Sequence, residues 1–164
     1  MTTFIICTES FGSPGNPAVL LIMGAASSMI WWETEFCEKL ADKGFYVIRY
    51  DNRDTGKSTC YPPGEPGYTF EDLADDAVAV LDAYEIDKAI IMGMSMSGML
   101  AQMIALRHPQ RVAGIVLLSS MYFADGAESL PYSSDEVNAF FEQMAKSEPP
   151  KDTDGLVDVA IRQW

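Results

Sequence analysis

Short apolar runs alternating with stretches of helical periodicity limit most strongly what this chain can fold into. Residues 18–23, 45–50, 88–92 and 112–118 are each continuously or almost continuously apolar and are bounded by turn formers. Runs of that length read as strands buried on both faces of a parallel sheet. Between them, residues 31–43 read as a helix stopped by Gly44, and Phe70, Leu73, Ala74, Ala77, Val78, Leu81 and Tyr84 recur every three or four positions along one helical face. Asp72, Asp75, Asp76 and Asp82 on the same segment read as its solvated side. Residues 96–107 form a helix that is apolar nearly all round. Strands alternating with helices predict an α/β fold, a parallel sheet with right-handed crossovers and helices packed on its faces. A further strand is expected over residues 4–9, before a loop dense in glycine and proline at 11–17.

After Ser120 the pattern changes. Residues 123–135 read as a loop, Val137, Phe140, Phe141 and Met144 lie on one helical stripe that Pro149 and Pro150 break, and Leu156, Val159, Ala160 and Trp164 begin another. The boundary falls between a core at 1–122 and a helical segment at 123–164. The formal net charge is −13, which repels phosphate backbones and anionic headgroups, so neither a nucleic acid nor a membrane is an expected partner. Cys7, Cys37 and Cys60 match no zinc spacing, and no basic leader or long apolar span is present, which together point to a reducing cytoplasm.

The sharpest chemical signal is Gly93-Met94-Ser95-Met96-Ser97-Gly98, set between a buried strand and a helix. A serine held at the tip of a strand-to-helix turn needs small residues two positions to either side, here Gly93 and Ser97. Two nucleotide-binding patterns fail. Ser95 stands where a dinucleotide fingerprint has its middle glycine, and the segment ending Gly56-Lys57-Ser58 has Asp51 where a phosphate loop has its first glycine. No cofactor is expected.

Taken together, the motifs resemble the α/β-hydrolase family. Met23-Gly24-Ala25-Ala26 is similar to the family's oxyanion loop, with Met23 in place of the usual histidine, and residues 50–58 resemble its D-x-R-x-x-G-x-S segment. The serine elbow follows, and then Arg107-His108-Pro109-Gln110-Arg111-Val112. The Met-Gly loop and the Asn52-Arg53-Asp54-Thr55-Gly56 stretch are most similar to a bacterial esterase branch that includes the anthracycline methylesterases. The resemblance implies an α/β-hydrolase sheet, present here as its N-terminal portion with the start of a helical cap. It also implies that Ser95 is the nucleophile toward an ester or related acyl substrate, with the backbone N–H groups of Met96 and Ala25 as the oxyanion hole. A serine at the elbow disfavours the dehalogenase and epoxide-hydrolase chemistries, which use an aspartate there.

In the family the acid and histidine follow the serine in that order. The single histidine, His108, lies thirteen residues after Ser95 at the far end of the same helix, roughly 20 Å away at about 1.5 Å per residue. It reads as a surface residue near a helix C-terminus. Asp125 is a weak candidate for the acid, and the triad's acid and histidine are expected to be missing from this sequence. Two classes of function stay open: a serine hydrolase completed by further chain, and a non-catalytic hydrolase-like module that binds a ligand or partner. The strand at 112–118 carries no charge or proline, so its free edge is expected to pair with a second copy or with a complementing C-terminal half.

Overall fold

A computed structural model describes residues 4–62, 64–121, 134–146, 152 and 155 of the chain. The chain divides into two compact units, Met1–Ala124 and Asp125–Trp164. The first contains a five-stranded sheet formed by β1 (Thr8–Phe11), β2 (Ala18–Ile22), β3 (Tyr46–Tyr50), β4 (Ala89–Met94) and β5 (Val112–Leu118), in the order β1-β3-β2-β4-β5. All neighbouring pairs are parallel except β1 with β3, which is antiparallel. Every residue of the central strand β2 is buried, as its unbroken apolar run requires.

Helices cover both faces. Leu20, Ile22, Ile48 and Tyr50 pack with α2 (Phe70–Ala83) and α3 (Met96–Arg107), while Val19, Leu21 and Val47 pack with Trp32 and with Cys37 of α1 (Thr34–Asp42). A capping box starts α2: Thr69 Oγ1 accepts from the Asp72 N–H, and the Asp72 carboxylate accepts from the Thr69 N–H. In the second unit, α4 spans Asp135–Lys146.

Four sequence expectations shift. The first strand lies at Thr8–Phe11 rather than over 4–9, because its pairing partner β3 fixes the register Thr8↔Tyr50 through Phe11↔Val47. The helix expected over 31–43 begins only at Thr34, after a 3₁₀ turn at Met29–Trp31. The acidic face of α2 is not wholly solvated, since Asp76 is buried against Arg53, with Nε donating to Oδ2 and Nη2 to Oδ1, each at 2.7 Å. Finally β5 is not buried on both faces. Its burial alternates, with Ile115 and Leu117 on one face 41% and 42% exposed, and among the described residues it has a strand neighbour only in β4.

Candidate active site

The register brings the C-terminal ends of three adjacent strands to one level: Ile22 lies opposite Tyr50 on one side and opposite Gly93 on the other. The segments that leave these ends carry the sequence-selected residues. In an open α/β sheet, ligands bind in the crevice outside the carboxyl ends of the strands. Backbone strain concentrates at the same edge. Among the described residues five non-glycines have positive φ, and four of them, Ala26, Asp54, Ser95 and Ser119, lie just beyond β2, β3, β4 and β5. Strained non-glycine positions of this kind persist only where the surrounding structure holds them, and they gather at functional sites.

Ser95 is the sole residue between β4 and α3, with φ 51° and ψ −120°. Those are the angles of the first central residue of a type II′ turn, where glycine is normally required. Several contacts enforce them. The Ser95 N–H donates to the Leu118 carbonyl at 2.9 Å, and its own carbonyl accepts from Gly98 N at 2.9 Å and from Ser120 Oγ at 2.8 Å. The turn is too tight for side chains at its flanks: a Cβ on Gly93 would lie 1.9 Å from the Ser97 carbonyl oxygen, and one on Gly98 would lie 2.3 Å from the Ser120 side chain. Ser97, which replaces the second glycine of the usual motif, is fully buried, and its hydroxyl donates to the Met23 carbonyl at 2.6 Å. That bond ties the segment after β2 to the elbow.

Beyond Met23 the chain passes close over the serine. A Cβ on Gly24 would sit 3.3 Å from Ser95 Cβ and 3.9 Å from its Oγ, so the backbone here runs in close contact with the serine side chain. Ala25 and Ala26 then line a cleft of about 400 Å³, together with Met96 at the start of α3. As the first residue of α3, Met96 has an N–H without an intrahelical partner, at the positive end of the helix dipole. Residues 52–55 and parts of the 66–73 segment form the rest of the wall.

The loop that ends like a phosphate loop encloses a carboxylate of its own chain. Asp51 is 2% exposed, accepting from the Met29 N–H at 2.7 Å and from the Lys57 N–H at 2.8 Å, and a Cβ on Gly56 would lie 2.0 Å from its Oδ2. The aspartate that breaks the nucleotide pattern is therefore what folds the loop. Arg53 is held by Asp76, which keeps its guanidinium pKa above the ordinary value, and it lies 3.8 Å from the centroid of the Phe4 ring. Tyr68 donates to Asp54 Oδ2 at 2.7 Å, and partial burial together with that carboxylate pushes its pKa up to about 12.

The structure brings Ser95, Met96 and the 24–26 segment together and leaves His108 apart. His108 caps the opposite end of α3, where its Nε2 lies 2.7 Å from Asp75 Oδ1 beside Arg107, and the His108 hydrogen bond is the main cause that lowers the Asp75 pKa. Asp125 lies outside the described residues. Sequence reading did not single out Ser120. Ser120 meets Ser95 across 25 positions of chain, and no local spacing signals such a pair.

A central parallel sheet with helices on both faces, and a strained serine between a strand and a helix at its carboxyl edge, define a class. The chain belongs to the α/β-hydrolase fold family, whose sequence pattern matches residues 17–156. It is 39% identical to the rhodomycin D methylesterase DauP of Streptomyces sp. (strain C5) over 87% of this chain and 44% of that protein. With the rhodomycin D methylesterase DnrP of Streptomyces peucetius it shares 33% identity over 96% of this chain and 57% of that protein. Among solved structures, Est816, described as an N-acyl homoserine lactone degrading enzyme, superposes with a TM-score of 0.64 and 32% identity, covering 85% of this chain and 49% of its own. The chain thus spans about half the length of these relatives. Among the described residues no helix is long and apolar enough to cross a membrane.

Proposed function

We propose that this chain carries the nucleophile half of a serine esterase. Ser95 Oγ attacks the carbonyl of a small acyl substrate, an ester above all, and the tetrahedral oxyanion is held by the N–H groups of Met96 and Ala25. The single observation that carries this reading is the backbone of Ser95, a non-glycine residue at φ 51° and ψ −120° with Gly24 packed against its side chain. Such geometry is costly to maintain and serves to present the serine side chain beyond the carboxyl edge of the sheet. The similarity to two methylesterases supports an ester as substrate.

His108 cannot serve Ser95 from the far end of α3, so the general base is supplied by further chain, with the acid either from there or from Asp125. A strand added alongside β5, from a complementing C-terminal half or a second copy, is the way such chain joins this sheet. Full-length protein is expected to hydrolyse a p-nitrophenyl ester and to lose that activity in Ser95→Ala, while the 164-residue chain alone turns over little. Equal rates for wild type and Ser95→Ala would refute the assignment. An alternative, a hydrolase-like binding module without turnover, draws support from the absence of a usable histidine in this sequence.

A further inference from the structure

The serine elbow is gripped from outside its own turn. Ser95 donates its N–H to the Leu118 carbonyl at 2.9 Å, and its carbonyl accepts from Ser120 Oγ at 2.8 Å. Leu118 ends β5 and Ser120 lies two residues further on, with Ser119 between them at φ 46°. That left-handed residue, unfavourable for a side chain with a Cβ, takes the chain off the line of the strand at the point where the Ser120 hydroxyl meets the elbow. Room for the hydroxyl comes from Gly98, since a Cβ there would lie 2.3 Å from both Ser120 Cβ and Ser120 Oγ. A strained backbone on one side and a glycine on the other thus serve a single hydrogen bond, and such strain is kept where the surrounding structure uses it.

The carbonyl that Ser120 bonds and the Met96 N–H are the two ends of one peptide unit. A trans peptide is planar, so its C=O and N–H point in opposite directions and turn together. Fixing the Ser95 oxygen therefore fixes the direction of the Met96 N–H, which as the first of α3 has no partner within its helix. The Gly98 N–H bonds the same oxygen at 2.9 Å, but it belongs to the same turn, whereas Ser120 anchors the peptide to a different strand. A donor on the carbonyl also polarises the amide and strengthens its N–H as a donor in turn. We infer that Ser120 is a positioning residue for ester cleavage, aiming the Met96 N–H at the oxyanion by holding the Ser95–Met96 peptide from its carbonyl side. This deepens the esterase reading and rests on it. Ser120 acts through a group that is needed when negative charge develops on the substrate oxygen, so its effect belongs to the transition state and not to substrate binding.

The test compares full-length wild type with Ser120→Ala in three measurements. These are turnover of a p-nitrophenyl ester, inhibition by an arylboronic acid whose tetrahedral adduct on Ser95 places an oxygen in the oxyanion hole, and calorimetric binding of the matching N-methyl amide as a ground-state ligand. Losing an oxyanion donor outright costs about 10²–10³ in kcat. With the Gly98 bond kept, Ser120→Ala should lower kcat on the order of ten-fold and raise the Ki of the boronic acid by a similar factor, while KM and the amide Kd stay within about two-fold. An unchanged kcat overturns the inference. So does a fall in kcat with the boronic acid bound as tightly as before, because the loss then lies elsewhere than at the oxyanion. Equal weakening of boronic acid and amide also overturns it, since that marks Ser120 as packing around the cleft. A wild-type protein that neither turns over the ester nor takes up the boronic acid defeats the esterase reading, and the inference falls with it. A wild type active toward both and matched by Ser120→Ala defeats the inference alone.

Discussion

Ser95 is held in a conformation that its own backbone disfavours, and this separates two contributions of one residue. Replacing it with glycine removes the Cβ penalty at φ 51°, whereas alanine keeps it. Ser95→Gly is therefore expected to be more stable than Ser95→Ala by about 1 kcal/mol in urea denaturation, although both lack the hydroxyl. Equal stabilities would mean that the turn is not strained. Tyr68 makes a second residue-level case. Its folded pKa is raised to about 12, so its contribution to stability is complete below the unfolded value near 10 and disappears as pH rises from there through about 12. Tyr68→Phe should flatten the stability profile in that alkaline window, as followed by chemical denaturation across pH. At this scale the sequence was informative where the constraint is local: Gly93, Ser95 and Ser97 specify the elbow within five residues. Ser97 Oγ and Ser120 take their meaning from partners 25 to 74 positions away, which no spacing rule reaches.

The elements that frame the cleft depend on a few polar ties between secondary structures. Arg53, in the loop after β3, reaches into α2 through its two bonds to Asp76, and the side chains are 9% and 4% exposed. Removing one member of such a buried pair leaves the other charge uncompensated and typically costs about 3–5 kcal/mol. Asp76→Ala is expected to destabilise the first unit by that order in thermal or chemical unfolding, and to weaken substrate binding because Arg53, Asp54 and Leu73 line the cleft on either side of the tie. A loss below about 1 kcal/mol would show that the pair is not what fastens α2 to the loop. Element types were readable throughout the first unit, because buried parallel strands and amphipathic helices have different periods. The inward turn of Asp76 is hidden from the sequence for a physical reason. Three neighbouring aspartates make an acidic face look uniformly solvated, and only the approach of Arg53 from another loop distinguishes the one that turns inward. The start of α1 also lies later than the periodicity suggests, since Met29–Trp31 forms a 3₁₀ turn whose Met29 N–H is drawn to Asp51 rather than into a helix.

At the level of the whole molecule, a mostly parallel sheet with helices on its faces follows from the strand–helix alternation, while the strand order and the completion of the active site do not. β5 lies at the edge of the described sheet with Ile115 and Leu117 partly exposed. Edges of this kind recruit further strands. The 164-residue chain is expected to scatter light as a species heavier than 18.1 kDa at micromolar concentration, and a monomer with every β5 amide protected from exchange would contradict this. The relatives it matches are about twice its span, and a nucleophilic Ser95 requires a general base from such additional chain. Everything proposed for the site rests on Ser95 acting as a nucleophile served by a backbone oxyanion hole. The most direct measurement treats full-length protein with a fluorophosphonate probe and maps the adduct by mass spectrometry. One phosphonylated serine, Ser95, and no adduct in Ser95→Ala are expected; a full-length protein that stays unlabelled, or is labelled at another serine, rules out Ser95 as the nucleophile.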